Sequence, residues 1–332
     1  KPGPGCPSRR TIISSSMRLR TSSIGEFPVL TLEDPTSGAS LSVLPTRGAT
    51  VHELHMPGPD GALHSVMQPM RTHIEILRHR WAKGAQLAPW PNRIQGASYE
   101  FMGQTHSPVK NFRPQGGHAI HGLVMFETAK LSAKSPENGT FELSLASKGW
   151  QGYPFPVKMS FRFGLDPKDG FRMETEIENV GRGPCPVGHG WHPYFRLGDS
   201  IKPNLLQLPD GKRLPMTARA VPDGTRVKWD AFAKPSPIGE DFLDACVELS
   251  TKSAKAVSRL VDLERKLSLD VWQETGTGKY NYVQVFTHPR RHCLAIEPMT
   301  CAPNAFQNGM GLVVLKPGES LKAACGVKLS KA

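Results

Sequence analysis

The sequence predicts an all-β protein built as one large antiparallel β-sandwich. Three features of its 332 residues carry that expectation. Gly (32) and Pro (30) are both abundant without low complexity, the composition of many strands joined by many turns. Apolar and polar residues alternate through the middle and the C-terminal third, which is the two-residue period of strands with one buried face. No repeated β-α-β unit and no glycine-rich phosphate loop breaks the pattern. A chain of this length buries a sizeable core.

Residues 1–23 are rich in Ser, Pro and Arg and have no apolar period. A disordered tail is expected there, with the globular domain over residues 24–332. Met17 is the expected start, so residues 1–16 are expected to be dispensable. The apolar stretch of a secretory signal is missing from this segment. No apolar run is long enough to span a bilayer.

Residues 40–44 alternate, residues 45–48 turn the chain, and residues 49–54 resume the alternation. Pro57, Gly58, Pro59, Asp60 and Gly61 mark the next turn. Ile74, Ile76, Leu77 and Trp81 share a face of one short helix predicted over residues 74–81. Phe141, Leu143 and Leu145 alternate with Glu142 and Ser144. Val157, Met159, Phe161 and Phe163 alternate with Lys158, Ser160 and Arg162, and residues 166–170 turn the chain. Phe171, Met173, Thr175 and Ile177 then alternate with Arg172, Glu174 and Glu176, which predicts an antiparallel hairpin. Leu267, Leu269 and Val271 repeat the period, and Tyr282, Gln284 and Phe286 share one strand face. Residues 312–315 and 323–329 flank a turn and predict a last hairpin-like pair.

The net charge is +12, of which Lys1, Arg9, Arg10, Arg18 and Arg20 supply +5, with no acid in residues 1–20. The remaining charge is scattered and forms no basic block interleaved with aromatics, which argues against nucleic acid as a partner. Cys6, Cys185, Cys246, Cys293, Cys301 and Cys325 contain no Cys-x-x-Cys pair. Reduced, mostly buried thiols in a cytoplasmic protein are expected.

The stretch that organises the chemistry runs over residues 294–306. It opens as a short apolar strand in which Leu294 and Ile296 face one side and Ala295 and Glu297 the other. Glu297 precedes Pro298, which restricts its backbone to extended geometry. A loop with Pro303, Asn304 and Phe306 follows and is expected to form the floor of a ligand site.

Two His-x-x-His pairs stand out, His118 with His121 and His189 with His192. On a strand, residues three apart face opposite sides, so each pair offers one histidine to a shared site and no metal centre is expected. His192 precedes Pro193 as Glu297 precedes Pro298. A histidine acid and a glutamate base form a competent proton-transfer pair near neutral pH. The bland alternative for each histidine is a buried ring satisfied by backbone carbonyls.

From residue 27 to 329 the chain resembles the aldose 1-epimerase (galactose mutarotase) family, in its broader bacterial branch. Six stretches in order carry the resemblance: residues 91–94 (PNRI) with Gly96, 120–122 (IHG), 192–195 (HPYF), 282–286 (YVQVF), 296–300 (IEPMT) and 315–319 (LKPGE). The resemblance implies a galactose mutarotase-like supersandwich with a sugar groove. It implies His192 as general acid and Glu297 as general base, with Asn92 and Arg93 on sugar hydroxyls and His121 at the reacting end. Gln284 would line the groove, and Asp244, with Asp241 close by, matches the sugar-binding aspartate. The implied activity is an isomerase's: aldose 1-epimerization of a free aldose by acid/base ring opening, with no cofactor. The implied partner is a small-molecule sugar, an aldohexose or similar. Neither nucleic acid nor membrane is implied, and a monomer or homodimer is expected. Typical galactose mutarotases carry Asn-His and Glu-Thr-Gln where this chain has Trp191-His192 and Glu297-Pro298-Met299, which bears on substrate more than on reaction. Two alternatives remain: a hexose-6-phosphate mutarotase, for which no arginine cluster is evident in the groove, and a non-catalytic carbohydrate-binding β-sandwich. A glycoside hydrolase would need a second flanking carboxylate.

Overall fold

The computed structural model describes residues 17–112, 114–250 and 253–332. Three large sheets dominate, and every strand ladder in them is antiparallel. A five-stranded meander runs in chain order through Arg18–Ile24, Phe27–Glu33, Ser40–Leu44, Thr50–Pro57 and Leu63–Ser65. A nine-stranded sheet has Val157–Asp166, Gly170–Asn179, Ser320–Lys331 and Leu267–Glu274 as its central neighbours. An eight-stranded sheet has Asp244–Leu249, Tyr282–Thr287 and Leu294–Met299 side by side, and carries the chemistry described below.

The predicted central hairpin forms in the register that its alternation requires. Phe161 lies opposite Thr175, Phe163 opposite Met173, and Asp166 opposite Gly170. Gly170 has φ +87°, and a Cβ there would lie 2.1 Å from the Val327 carbonyl oxygen, so the turn accepts no side chain. Phe161 and Phe163 are fully buried in the main core. Truncating either to alanine would cost about 3–5 kcal/mol. The two largest sheets pack face to face across this core: the Phe171 ring lies 5.4 Å from Trp191, and Phe161 lies 6.1 Å from His189.

Three expectations are corrected. Of the segment 1–23 expected to be a tail, Arg18–Ser23 lie in the first strand, which pairs along its length with Phe27–Glu33; residues 1–16 lie outside the described residues. That strand is mostly exposed, so it is held by backbone pairing and shows no apolar period. The helix predicted over 74–81 spans only His73–Arg78. Thr72 caps its start by accepting from the Glu75 N–H, and His79 ends it in a left-handed conformation. Only Ile76 of the predicted face is buried in the helix, while Ile74 and Leu77 are exposed. Residues 312–315 and 323–329 do not pair with each other. Val313–Leu315 pairs with Cys185–Val187, and Ser320–Lys331 is a central strand whose two edges are taken by Gly170–Asn179 and Leu267–Glu274.

Among the described residues five cysteines are free and buried, as expected: Cys185, Cys246, Cys293, Cys301 and Cys325. No described helix is long and apolar enough to cross a membrane.

Candidate active site

The strand Leu294–Met299 is buried at every position. Its alternation divides as predicted: Leu294 and Ile296 enter the main core, while Glu297 turns to a cavity on the other face. Gln284 lies directly opposite Glu297 on the neighbouring strand, so the two side chains share that face. Asp244 lies opposite Phe286 one strand further on, and the Gln284 amide donates to the Asp244 carboxylate at 2.6 Å.

His192 reaches the same cavity from the turn between Gly190–Trp191 and Tyr194–Phe195. Residues 84 and 85 clamp its backbone: its N–H donates to the Ala85 carbonyl at 3.1 Å, and its carbonyl accepts from Gly84 at 2.8 Å. The imidazole stacks on Tyr194 with centroids 5.0 Å apart. Its Nε2 stands 3.4 Å from Glu297 Oε1, and the two residues are 5 % and 2 % exposed. Burial depresses the His192 pKa to about 3. Burial, reinforced by Asp244 and opposed by Arg93, raises that of Glu297 well above the carboxylate range. Neutral imidazole with protonated carboxyl and imidazolium with carboxylate hold the same number of protons, so the pair carries one transferable proton in either arrangement.

Asn92 and His121 both adopt left-handed backbone conformations, with φ +53° and +62°. They are tied together, because the His121 N–H donates to the Asn92 carbonyl at 2.8 Å. Gly122 follows at φ +70°, where a Cβ would lie 2.0 Å from the Ala88 carbonyl oxygen. The His121 ring meets His192 edge-on at 5.0 Å. Dehydration, then His192 and Arg93, hold His121 well below its ordinary pKa, so it faces the cavity as a neutral imidazole.

Arg93 donates to the Asn92 side-chain oxygen at 3.1 Å, and its guanidinium lies 5.3 Å from the centre of the Phe112 ring. Asp244 is open to water yet crowded by protein, which raises its pKa, while Arg93 and the Gln284 amide pull it back. Buried polar atoms left without a protein partner among the described residues include Arg93 Nε, His121 Nδ1, His192 Nδ1, Gln284 Oε1 and Glu297 Oε2. Such a concentration of unused donors and acceptors is costly unless a polar ligand or water meets it.

The structure thus brings Asn92, Arg93, His121, His192, Asp244, Gln284 and Glu297 to one cavity of about 700 Å³. The other histidine of each pair points elsewhere: His189 is fully buried between Tyr280 and Gln86, and His118 lies against Phe112. The loop expected as a floor does a different job. Asn304 accepts from the Gln95 N–H with its side chain and donates to the Arg93 carbonyl with its backbone. Phe306 packs on Trp90 and Tyr99. The loop braces the strand that carries Arg93 from behind because its polar groups are spent on that backbone. Sequence reasoning missed Arg78, Arg80, Trp81, Phe112, Phe126 and Phe286 on the cavity wall. Phe286 lay within a recognised stretch and shares a strand face with Gln284, which was the available signal; of the others, Arg78 ends the short helix and the rest come from segments between strands without a period. Among the described residues, His288, His292 and Cys293 are the group whose potential metal-ligand atoms converge, within 4.8 Å, and they involve neither His-x-x-His pair.

The fold is that of the galactose mutarotase-like proteins. A solved galactose mutarotase-like protein from Clostridium acetobutylicum superposes with a TM-score of 0.80 at 14 % identity, covering 96 % of this chain and 99 % of the other. The aldose epimerase homologue of C. elegans gives 0.79 at 16 %, covering 96 % and 100 %. Galactose 1-epimerase from Lactobacillus acidophilus gives 0.75 at 18 %, covering 95 % and 99 %. Residues 28–328 match the sequence model of the family described as Aldose 1-epimerase, and the chain belongs to that family. In sequence it is similar to the uncharacterized protein YihR of Escherichia coli K12, at 29 % identity over 252 residues, 71 % of this chain and 75 % of YihR.

Proposed function

We propose that the protein is a mutarotase that interconverts the α and β anomers of a free aldose. The observation that carries this reading is the buried His192–Glu297 contact, 3.4 Å long, set in a cavity bordered by Asn92, Arg93, His121, Asp244 and Gln284. A polyhydroxy ring needs both donors and acceptors, and these side chains supply both. Glu297 as carboxylate takes the proton of the anomeric hydroxyl while His192 as imidazolium protonates the ring oxygen. The bond from C1 to the ring oxygen breaks, leaving the open aldehyde. After rotation about C1–C2 the ring hydroxyl attacks the other face of the aldehyde. His192 recovers its proton from that hydroxyl, and Glu297 returns its proton to the new anomeric oxygen. The buried, water-poor setting strengthens both proton transfers.

Arg78 and Arg80 on the cavity wall favour a second reading, a hexose 6-phosphate as substrate. Exchange between anomers, followed by NMR on a panel of free aldoses and their 6-phosphates, tests both. Acceleration of a free aldose supports the first reading; acceleration of the phosphates alone supports the second. No acceleration of any sugar overturns mutarotation.

A further inference from the structure

The turn that joins the strands Tyr282–Thr287 and Leu294–Met299 carries His288, His292 and Cys293. It is tight: the His288 N–H donates to the Cys293 carbonyl at 3.3 Å, and the Arg291 N–H donates to the His288 carbonyl at 2.7 Å. One potential ligand atom from each of the three residues lies within 4.8 Å of the other two. The two imidazoles meet edge to face with centroids 4.5 Å apart. With metal–ligand bonds of about 2.0–2.3 Å, a trigonal set of three ligand atoms needs separations of about 3.6–3.8 Å, so roughly an ångström of closure completes it.

The group is sheltered and lies outside the sugar cavity. Cys293 is fully buried, His288 is nearly so, and His292 is half-buried. None of the three borders the cavity, whereas Trp81 and Tyr194, packed against His288 at 4.9 Å and 5.9 Å, do. The His288 lone pair free of a proton is at Nδ1, where it accepts from the Arg290 N–H at 3.2 Å. Arg290 is exposed, so water can take over that N–H when a metal ion takes the lone pair.

The surroundings choose among metals. A thiolate with two imidazoles is a soft ligand set, suited to copper(I) or zinc(II). The charges that bear on it are Lys83, Arg71, Arg196 and Arg290, with no carboxylate among them. Zinc(II) on one thiolate leaves a net positive charge among these cations, while copper(I) on one thiolate leaves none. Repulsion therefore favours the monovalent ion. Zinc also calls for a fourth ligand, which copper(I) does not need.

We propose that His288, His292 and Cys293 form a copper(I) site in which Cys293 binds as the thiolate and releases its proton to solvent.

The test uses the full chain with Cys6→Ser throughout, since Cys6 lies outside the described residues and offers a competing thiol. Copper(I), kept reduced by ascorbate without oxygen, is titrated against a chromogenic copper(I) chelator. Melting is followed with and without one equivalent. One equivalent should bind, and the protein should then melt later, because an ion held by the folded state alone stabilises it. Zinc(II) should bind more weakly. Cys293→Ser and, separately, the half-buried His292→Ala should each weaken copper(I) binding at least about tenfold, the lower end of what even an outer-sphere partner is worth. Both should abolish the shift in melting, with circular dichroism checking the fold. No binding by the parent chain, or unchanged binding in both variants, would overturn the site. So would stabilisation by inorganic phosphate in place of copper(I), the result expected of the surrounding cations alone. Tighter binding of zinc(II) than of copper(I) would overturn the choice of metal.

Discussion

His192 Nε2 and Glu297 Oε1 are 3.4 Å apart, and each residue directly precedes a proline. The two prolines hold both backbones extended. The imidazole rests on Tyr194, and Glu297 shares its sheet face with Gln284. Glu297→Gln and His192→Asn should each lower kcat by about 10²–10⁴ with little change in KM. The double variant should fall little further than the worse single one, because the two groups act as a unit. Near-normal turnover by Glu297→Gln, with circular dichroism unchanged, would remove it as the base.

Arg93 should act on both binding and chemistry. Its side chain faces the cavity, and its charge is what opposes the rise of the Glu297 pKa. Arg93→Ala should raise KM by about tenfold or more, since a hydrogen bond to a charged group is worth roughly 1.5–3 kcal/mol. It should also move the basic limb of kcat to higher pH, as Glu297 gives up its proton less readily. A KM effect with an unmoved pH profile would show that Arg93 does not tune the carboxyl.

Gly122→Ala tests the backbone tie between His121 and Asn92. A Cβ would lie 2.0 Å from the Ala88 carbonyl oxygen at a φ of +70°. Strain of this kind costs about 1–3 kcal/mol. The variant should melt earlier and lose turnover through displaced His121. Wild-type melting and activity together would contradict the assignment of Gly122 as an obligatory glycine.

Stability should fall as pH drops from about 6.5 toward 5. His79 and His189 are buried, with pKa values depressed by burial to about 4 and about 3. In the unfolded chain they titrate near 6.5, so below that pH the unfolded state binds more protons and gains free energy relative to the fold. Each contributes a loss of about 2 kcal/mol at pH 5. His192 alone would add to this, but the raised pKa of Glu297 acts with the opposite sign, since the folded carboxyl keeps a proton that the unfolded one has lost. The two members of the catalytic pair therefore act with opposite signs in that window. Urea unfolding at pH 7 and pH 5 should differ in ΔG by a few kcal/mol, and a flat profile would contradict the burial of His79 and His189 as neutral rings.

The proposed acid and base were legible in the sequence because each lies on or beside a strand with a proline after it. Alternation alone placed Glu297 opposite the core-facing Ile296, whereas His121 was singled out from His118 by the family resemblance, and it parts from His118 in a left-handed turn just beyond the strand His118–Ile120. Of the aromatic residues on the cavity wall, Phe286, on the strand face of Gln284, left a signal in the sequence, and Trp81 and Phe126 left none. Trp81, Phe126 and Phe286 lie on separate parts of the chain and meet only when the loops pack together. The edge strand Arg18–Ile24 was missed because edge pairing uses backbone groups, which leave no mark on side-chain periodicity. The partner of Ser320–Lys331 was misread for a topological reason: the neighbouring turn suggested a local hairpin, whereas distant strands occupy both of its edges.

Asn304 lies seven residues after the proposed base and grips the backbone on both sides of Ile94. One short path, covalent as far as Asn304 and hydrogen-bonded from there, therefore links the carboxylate that would move the proton to the arginine that would hold the substrate. The two cannot drift independently, and a lesion in the connecting turn is transmitted to both. Asn304→Ala would change no cavity-lining residue and yet, by releasing the Arg93 backbone, imitate in its kinetics the loss of Arg93. Random mutagenesis selected on activity would return hits in residues 300–308 that no map of ligand contacts explains.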